Sequence, residues 1–206
     1  MLRLAMLLSG GGSTLQNLVD RIAAGTLPAR IEVVLASRAD VLGLERARAA
    51  GIPAVAVPRK QYSDANAFND ALHDELAPHR PDLVLLAGFL SPFQMRGTYN
   101  GRVMNVHPAL IPAFSGKGFY GMKVHRAVIE SGVKITGCTV HFADDEYDHG
   151  PIILQKAVEV RDDDTPESIA ARVHDAENTL YPEAIRLFAA GRLVVNGRRV
   201  CILPPT

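Results

Sequence analysis

Through its first half the chain repeats one alternation: uninterrupted apolar runs, each followed by an amphipathic stretch. Leu2 to Leu8, Ile31 to Ser37, Ala54 to Val57, Leu83 to Ala87 and Arg102 to Val106 read as strands. Leu15 to Ala24, Leu42 to Ala50 and Asn66 to Ala77 carry helical periodicity between them. Gly51-Ile52-Pro53 closes the second helix, and Pro78 and Pro81 follow the third. A strand with one wet face alternates apolar and polar residues, whereas a strand covered on both faces does not. The runs therefore predict an α/β fold with a mostly parallel, twisted sheet and helices on both faces.

The pattern changes after Pro108. Lys123 to Glu130 reads as a helix, and Thr136 to Phe142 and Ile152 to Val160 as strands joined by the acidic stretch Ala143 to Gly150. That pair predicts an antiparallel extension of the sheet in the C-terminal half. Thr165-Pro166-Glu167 opens a long helical stretch to Ala190, with an N-cap candidate and proline at the first helical position. The tail from Leu193 to Leu203 predicts a hairpin around Asn196-Gly197. No repeat or low-complexity linker divides the 206 residues, which are expected to form one domain. Its halves would be 1–107 and 108–206.

Lys plus Arg and Asp plus Glu number 22 each, so no global field points to nucleic acid or an anionic membrane. An anionic ligand must be held locally. The apolar start from Met1 to Leu8 is far below spanning length and runs straight into Ser9-Gly10-Gly11-Gly12, so it reads as a buried first strand. Two cysteines make no disulfide framework and suit a reducing, cytoplasmic setting.

The local site is offered by Ser9-Gly10-Gly11-Gly12-Ser13-Thr14, between a strand and a helix. Glycines allow a sharp turn and close approach of backbone to ligand. Helix N-terminal amides favour an anion such as phosphate, and Ser13 and Thr14 add hydroxyls. Gly12, Ser13 and Thr14 are thus candidate phosphate ligands, against a plain strand-to-helix turn. Leu15 stands where a dinucleotide fingerprint needs its third glycine, and Ala36-Ser37-Arg38 lacks the ribose-binding acid. Arg38 leaves a 2′-phosphate dinucleotide open. No Gly-Lys-Ser/Thr follows, so the loop is not a P-loop.

Asn105 and His107 stand two apart at the end of the fifth strand, before Pro108, and so project together. In open parallel sheets ligands bind at that carboxyl edge. An amide and an imidazole there suit an oxyanion and a proton transfer. The plainer alternative is a turn-forming asparagine and a loop-capping histidine. Thr139 and His141 share a face of the next strand, and the loop beyond carries Asp144, Asp145, Glu146 and Asp148. Most of these acids read as solvated. Asp148 stands out because His149-Gly150-Pro151 implies a tight turn, and a carboxylate beside an imidazole fixes its orientation and favours its charged form. His107, His141, His149 and Cys138 lack zinc-motif spacing, so no metal is expected. No Gly-x-Ser-x-Gly elbow appears, and Cys138 sits among apolar neighbours.

Taken in order, Leu8-Ser9-Gly10-Gly11-Gly12-Ser13-Thr14-Leu15-Gln16, Gly43-Leu44-Glu45-Arg46-Ala47, Leu86-Ala87-Gly88-Phe89 and Asn105-Val106-His107-Pro108-Ala109-Leu110-Ile111-Pro112 form a specific series. It continues through Thr139-Val140-His141-Phe142, Asp148-His149-Gly150-Pro151-Ile152-Ile153 and Glu177-Asn178-Thr179-Leu180-Tyr181-Pro182. Over nearly its whole length the chain resembles the phosphoribosylglycinamide formyltransferases, folate-dependent enzymes of purine synthesis. The resemblance implies a Rossmann-like first half and 10-formyltetrahydrofolate as co-substrate. By motif, Asn105, His107 and Asp148 fall on the catalytic trio, and Gly12, Ser13 and Thr14 on the phosphate loop. Glu177 falls on an acid contacting the glycinamide substrate. Phe89, Leu90, Asn105 and the loop carrying Ala143, Asp144 and Tyr147 fall near the folate.

The stretch Ser91-Pro92-Phe93-Gln94 is shortened against the family pattern, and Ala65 stands where many members have arginine. Phe114 to Gly121 is longer and richer in glycine, and the resemblance assigns it no role. Among related activities, a formyltetrahydrofolate deformylase would need a preceding regulatory domain, for which the glycine loop at Ser9 leaves no room. A methionyl-tRNA formyltransferase would need a further C-terminal domain and a basic surface. A phosphometabolite-binding protein would not need the trio. The expected partners are the two small molecules alone, with the chain a monomer or homodimer.

Overall fold

The computed structural model describes residues 1–205. It divides into two compact units, Met1–Met104 and the chain from Asn105 onward. In the first unit β1 (Leu2–Leu8), β2 (Ala29–Ala36), β3 (Ala54–Ala56) and β4 (Leu83–Ala87) lie in the order β3-β2-β1-β4. All three pairings are parallel. The crossovers carry α1 (Ser13–Ala23), α2 (Leu42–Ala49) and α3 (Ala65–Leu76). Leu4 to Leu7 and Leu83 to Leu85 are wholly buried, which is why these strands need no polar alternation. α1 turns Leu15 and Leu18 inward, and α3 turns Phe68, Leu72 and Leu76 inward at helical spacing. Each such side chain stabilises the fold by about 1.5–3 kcal/mol through burial. Asp64 caps α3, its carboxylate accepting from the Ala67 amide at 2.9 Å.

Two boundaries differ from the sequence reading, and both matter for the site. α1 begins at Ser13 instead of Leu15, because Gly12 completes the turn in the left-handed region (φ 72°) and the helix can start at once. β5 (Val103–His107) extends one residue further than expected and takes in His107.

Asp82, just before β4, holds the start of β1. Its Oδ1 accepts from Arg3 Nη2 at 2.7 Å, and its Oδ2 from Arg3 Nε at 3.1 Å and from the Arg3 amide at 2.9 Å. The guanidinium hydrogen bond, then the backbone N–H, lower the Asp82 pKa from 3.8 to about 2. A depressed acid contributes stability that is present above its unfolded pKa and is lost as pH falls through its folded one. The pair is partly exposed, so the contribution is modest. Asp82→Asn should therefore lower the thermal midpoint slightly near neutrality. Acid titration of the unfolding midpoint should bring the two proteins together between pH 3.8 and about 2. A gap that stays constant through that window would remove Asp82 as its cause.

The second unit opens with the last three residues of β5, followed by α4 (Met122–Ser131), β6 (Ile135–Phe142), β7 (Ile152–Glu159), α5 (Pro166–Ala189), β8 (Leu193–Asn196) and β9 (Arg199–Ile202). The order there is β5-β6-β7-β9-β8. β6 and β7 pair antiparallel, as the sequence predicted, and so do β8 and β9. The Thr165 side chain accepts from the Ser168 amide at 3.2 Å, and the Ser168 hydroxyl accepts from the Thr165 amide at 3.0 Å. This capping box, with Pro166 in the first turn, starts α5 where expected. Val128 of α4, Cys138 of β6 and Ile169 and Val173 of α5 form the unit's core. Burial pushes the Cys138 thiol up to about 12, which suits packing and not nucleophilic chemistry. At the hairpin, Asn196 pairs with Arg199, so Gly197 and Arg198 are the turn residues, not Asn196 and Gly197. Gly197 takes the positive φ (59°) that a two-residue hairpin turn requires.

Candidate active site

In the first unit, the carboxyl ends of β1, β2 and β4 are tied together. The Ser9 amide donates to the Gly88 carbonyl at 3.1 Å, and the Ser37 amide to the Leu8 carbonyl at 3.1 Å. The Ser9 and Ser37 hydroxyls lie 2.6 Å apart, and the Leu90 amide donates to the Ser9 hydroxyl at 3.0 Å. The glycine loop leaves β1 at this edge. Gly10 and Gly12 are exposed and half-buried, and α1 begins directly after them with no side-chain cap. The amides of Ser13, Thr14 and Leu15 belong to the first helical turn, where no intrahelical carbonyl can accept from them. A phosphate needs such a set of N–H groups at the positive end of a helix. Phe89 stacks on Phe68 of α3 with ring centres 6.4 Å apart, and Leu90 is exposed.

In the second unit the catalytic candidates converge on one carboxylate. Asp148 Oδ1 accepts from Asn105 Nδ2 at 3.3 Å, and Asp148 Oδ2 lies 3.4 Å from His107 Nδ1. The Gly116 amide donates to Oδ2 at 2.9 Å. Asp148 reaches this position with φ 53°, in the left-handed region that is uncommon for residues other than glycine. His141, which the sequence noted but did not place in the trio, completes the cluster. Its Nε2 lies 3.1 Å from Asn105 Nδ2 and 3.8 Å from Asp148 Oδ1. Its Nδ1 is 2.9 Å from the Phe142 carbonyl, which can only accept, so the proton sits on Nδ1 and Nε2 accepts from the Asn105 amide. The two amide hydrogens of Asn105 are thus shared between His141 and Asp148.

His107 Nε2 lies 2.8 Å from the carbonyl of Phe114 and therefore donates to it. Both partners of the cluster from the glycine-rich segment, the Phe114 carbonyl and the Gly116 amide, are backbone groups, invisible to any reading of side chains. Phe114 itself has φ 50° and Gly116 φ 88°. Side-chain exposure is 5% for His107, 2% for His141 and 11% for Asp148, so water screens these charges weakly. Burial acts to raise the Asp148 pKa. The charge of His107 and the Gly116 N–H act against it, and the carboxyl lies below its ordinary value.

The remaining candidates lie apart from this cluster in their bonding. Glu177, on α5, is bonded to His174, with Oε2 3.3 Å from Nδ1, and that acid raises the His174 pKa. Asp144 Oδ2 is 2.8 Å from His149 Nδ1, while Tyr147 is exposed and Ala143 half-buried. Thr139 serves structure: its hydroxyl donates to the Ala109 carbonyl at 2.7 Å and accepts from the Ile111 amide at 3.1 Å. Among the described residues no group of three or more His, Cys, Asp or Glu is placed to hold a metal ion. No helix among them is long and apolar enough to cross a membrane.

A family model described as formyl transferase matches residues 2–185. The chain is 36% identical over 195 residues to phosphoribosylglycinamide formyltransferase of Haemophilus influenzae, covering 94% of this chain and 90% of that protein. It is 41% identical to the bovine trifunctional purine biosynthetic protein adenosine-3, matching 95% of this chain but spanning only 19% of that longer protein. The crystal structure of glycinamide ribonucleotide transformylase 1 from Symbiobacterium toebii superposes with a TM-score of 0.93 at 45% identity, covering 99% of this chain and 95% of that one. With the match running through both units and their loops, the chain belongs to the formyl transferase family, among the phosphoribosylglycinamide formyltransferases.

Proposed function

We propose that this protein transfers the formyl group of 10-formyltetrahydrofolate to the amine of 5′-phosphoribosylglycinamide, a step of purine biosynthesis, and does so in the cytoplasm. The observation that carries the reading is the convergence of Asn105 and His107 on the half-buried carboxylate of Asp148. The amine nitrogen attacks the formyl carbon, and the carbonyl electron pair moves onto oxygen. Protonated His107 donates a hydrogen bond to that oxyanion, and Asn105 does so by giving up one of its two present contacts, to His141 or to Asp148; such donors are each worth ~3 kcal/mol to the transition state. The bond from carbon to the folate nitrogen then breaks as the proton lost by the amine is delivered to that nitrogen. Formylated ribonucleotide and tetrahydrofolate result. Asp148 keeps His107 charged and oriented, and relays the proton. No metal or redox cofactor takes part.

His107 Nε2 donates to the Phe114 carbonyl at 2.8 Å, a separation that suits a donor to an oxyanion. Gly12, Ser13 and Thr14 hold the phosphate, and Glu177 contacts the glycinamide end. Phe89, Leu90, Ala143, Asp144 and Tyr147, with Asn105, border the folate. The chain acts as one formyltransferase domain, as a monomer or homodimer, on these small molecules alone.

The test is to supply 10-formyltetrahydrofolate with and without the ribonucleotide and follow release of tetrahydrofolate. Release that depends on the amine is the expected result. Equal release without it would make the protein a hydrolase, and no release in either case would leave a binding protein.

The phosphate assignment has its own check. Ser13→Asp sets a carboxylate against the phosphate, and like charges held together cost several kcal/mol. KM for the ribonucleotide should rise roughly ten-fold or more, while KM for the folate stays close to wild type. Parallel increases in both constants would contradict the assignment.

A further inference from the structure

We propose that Arg198, at the tip of the hairpin between β8 and β9, is a positioning residue that holds Asp148 in register with Asn105 and His107. The proposal rests on the function assigned above. Arg198 donates through Nη2 to the backbone carbonyl of His149 at 2.8 Å, and through Nη1 to the His149 ring at Nε2. A guanidinium only donates, so Nε2 must be the accepting nitrogen and Nδ1 must carry the proton. That proton goes to Asp144 Oδ2 at 2.8 Å, while Asp144 Oδ1 accepts from the Glu146 amide at 3.0 Å. One planar fork therefore fixes both the ring and the carbonyl of the residue that follows Asp148.

The segment has little freedom to compensate. Asp148 sits in the left-handed region, which residues other than glycine adopt uncommonly. Gly150, two residues on, is pressed against the end of β6, where an added Cβ would lie 1.8 Å from the Phe142 carbonyl oxygen. Between these points the Asp148 carboxylate reaches Asn105 at 3.3 Å and His107 at 3.4 Å, the outer limit of useful hydrogen bonding. A small rotation of the loop would lose both contacts. Misplacing a catalytic group by ~1 Å can cost ~100-fold in rate. A lysine could not replace Arg198, because a single ammonium lacks the rigid fork that meets ring and carbonyl together.

The experiment compares wild type, Arg198→Ala and Arg198→Lys, alone and in an Asp148→Asn background. Arg198 lies at an exposed turn, and Arg198→Lys serves as the second variant should Arg198→Ala unfold. We expect Arg198→Ala to lower kcat roughly ten-fold with KM for the ribonucleotide unchanged, and Arg198→Lys to leave most of that loss in place. Because the effect runs through Asp148, it should shrink to less than ~2-fold once Asp148 is asparagine. Wild-type kcat in Arg198→Ala, or the same fractional loss in both backgrounds, overturns the proposal. Amide hydrogen exchange gives a readout independent of catalysis. The amides of Gly116, which donates to Asp148, and of Glu146, which donates to Asp144, should exchange faster in Arg198→Ala, and unchanged exchange overturns the proposal. A wild type that transfers no formyl group would instead overturn the assigned function, and the exchange measurement would still decide whether Arg198 clamps the loop.

Discussion

Asp148→Asn should lower kcat by ~100-fold or more, the usual size of a general acid–base contribution. The substitution preserves shape but removes the charge on which Asn105, His107 and the Gly116 amide converge. An asparagine oxygen can still accept from Gly116, so the loop should keep its path. What is lost is the negative charge that stands 3.4 Å from the His107 ring. The loss matters chiefly once negative charge develops on the formyl oxygen, so the two KM values should move far less than kcat. The pH–stability profile offers a second reading. The wild-type carboxyl lies below its ordinary pKa of 3.8, so its stabilising contribution is present above the unfolded value and fades as pH falls through the folded one. The variant should lack that acid-side loss. Unchanged kcat in a folded Asp148→Asn protein would reduce Asp148 to a loop residue.

Gly12→Ala should strike both stability and ribonucleotide binding. Gly12 has φ 72°, and a Cβ there would stand 2.7 Å from the Cα of Gly43 at the start of α2. Backbone cannot yield as a side chain can. Gly43 has no room either, because its own Cβ would meet Leu8 at 2.6 Å and the Gly10 carbonyl at 2.9 Å. Left-handed strain costs about 1–2 kcal/mol and overpacking about 1–3, so a total of about 2–5 kcal/mol is expected. Denaturant unfolding would measure it. Steady-state kinetics should show KM for the ribonucleotide rising, because the displaced turn carries the first amides of α1. Gly10→Ala is the matched control for stability, since its Cβ would enter open space. Equal midpoints for the two variants would mean that the turn does not depend on this close approach.

The helix and strand pattern of the first unit was legible because burial on both faces leaves a continuous apolar record. Leu4 to Leu7 and Leu83 to Leu85 are that record. The antiparallel pair β6 and β7 was legible from two apolar runs and a short acidic link. The start of α1 was misjudged by two residues because Ser13 and Thr14 are polar, and apolar periodicity begins only at Leu15. The turn of the final hairpin was misjudged by one, because Asn-Gly is a strong turn signal wherever it falls, whereas pairing of Asn196 with Arg199 moved the bend to Gly197-Arg198.

For the candidate site the division is similar. Asn105 and His107 could be paired from sequence because strand period is two and both lie on β5. Asp148 could be suspected from the turn that follows it. His141 was noted only as a face-mate of Thr139, and the Phe114 carbonyl, the Gly116 amide and Arg198 carried no side-chain signal that links them to the trio. By itself the sequence determined the elements, the glycine turn and the family, since these are written in local periodicity and in motifs of consecutive residues. Only the tertiary structure decided which groups meet at Asp148. Asn105 and His107 lie far along the chain from Asp148, and Gly116 offers only a backbone atom, so strand pairing and loop packing, not local spacing, bring these groups within hydrogen-bonding reach.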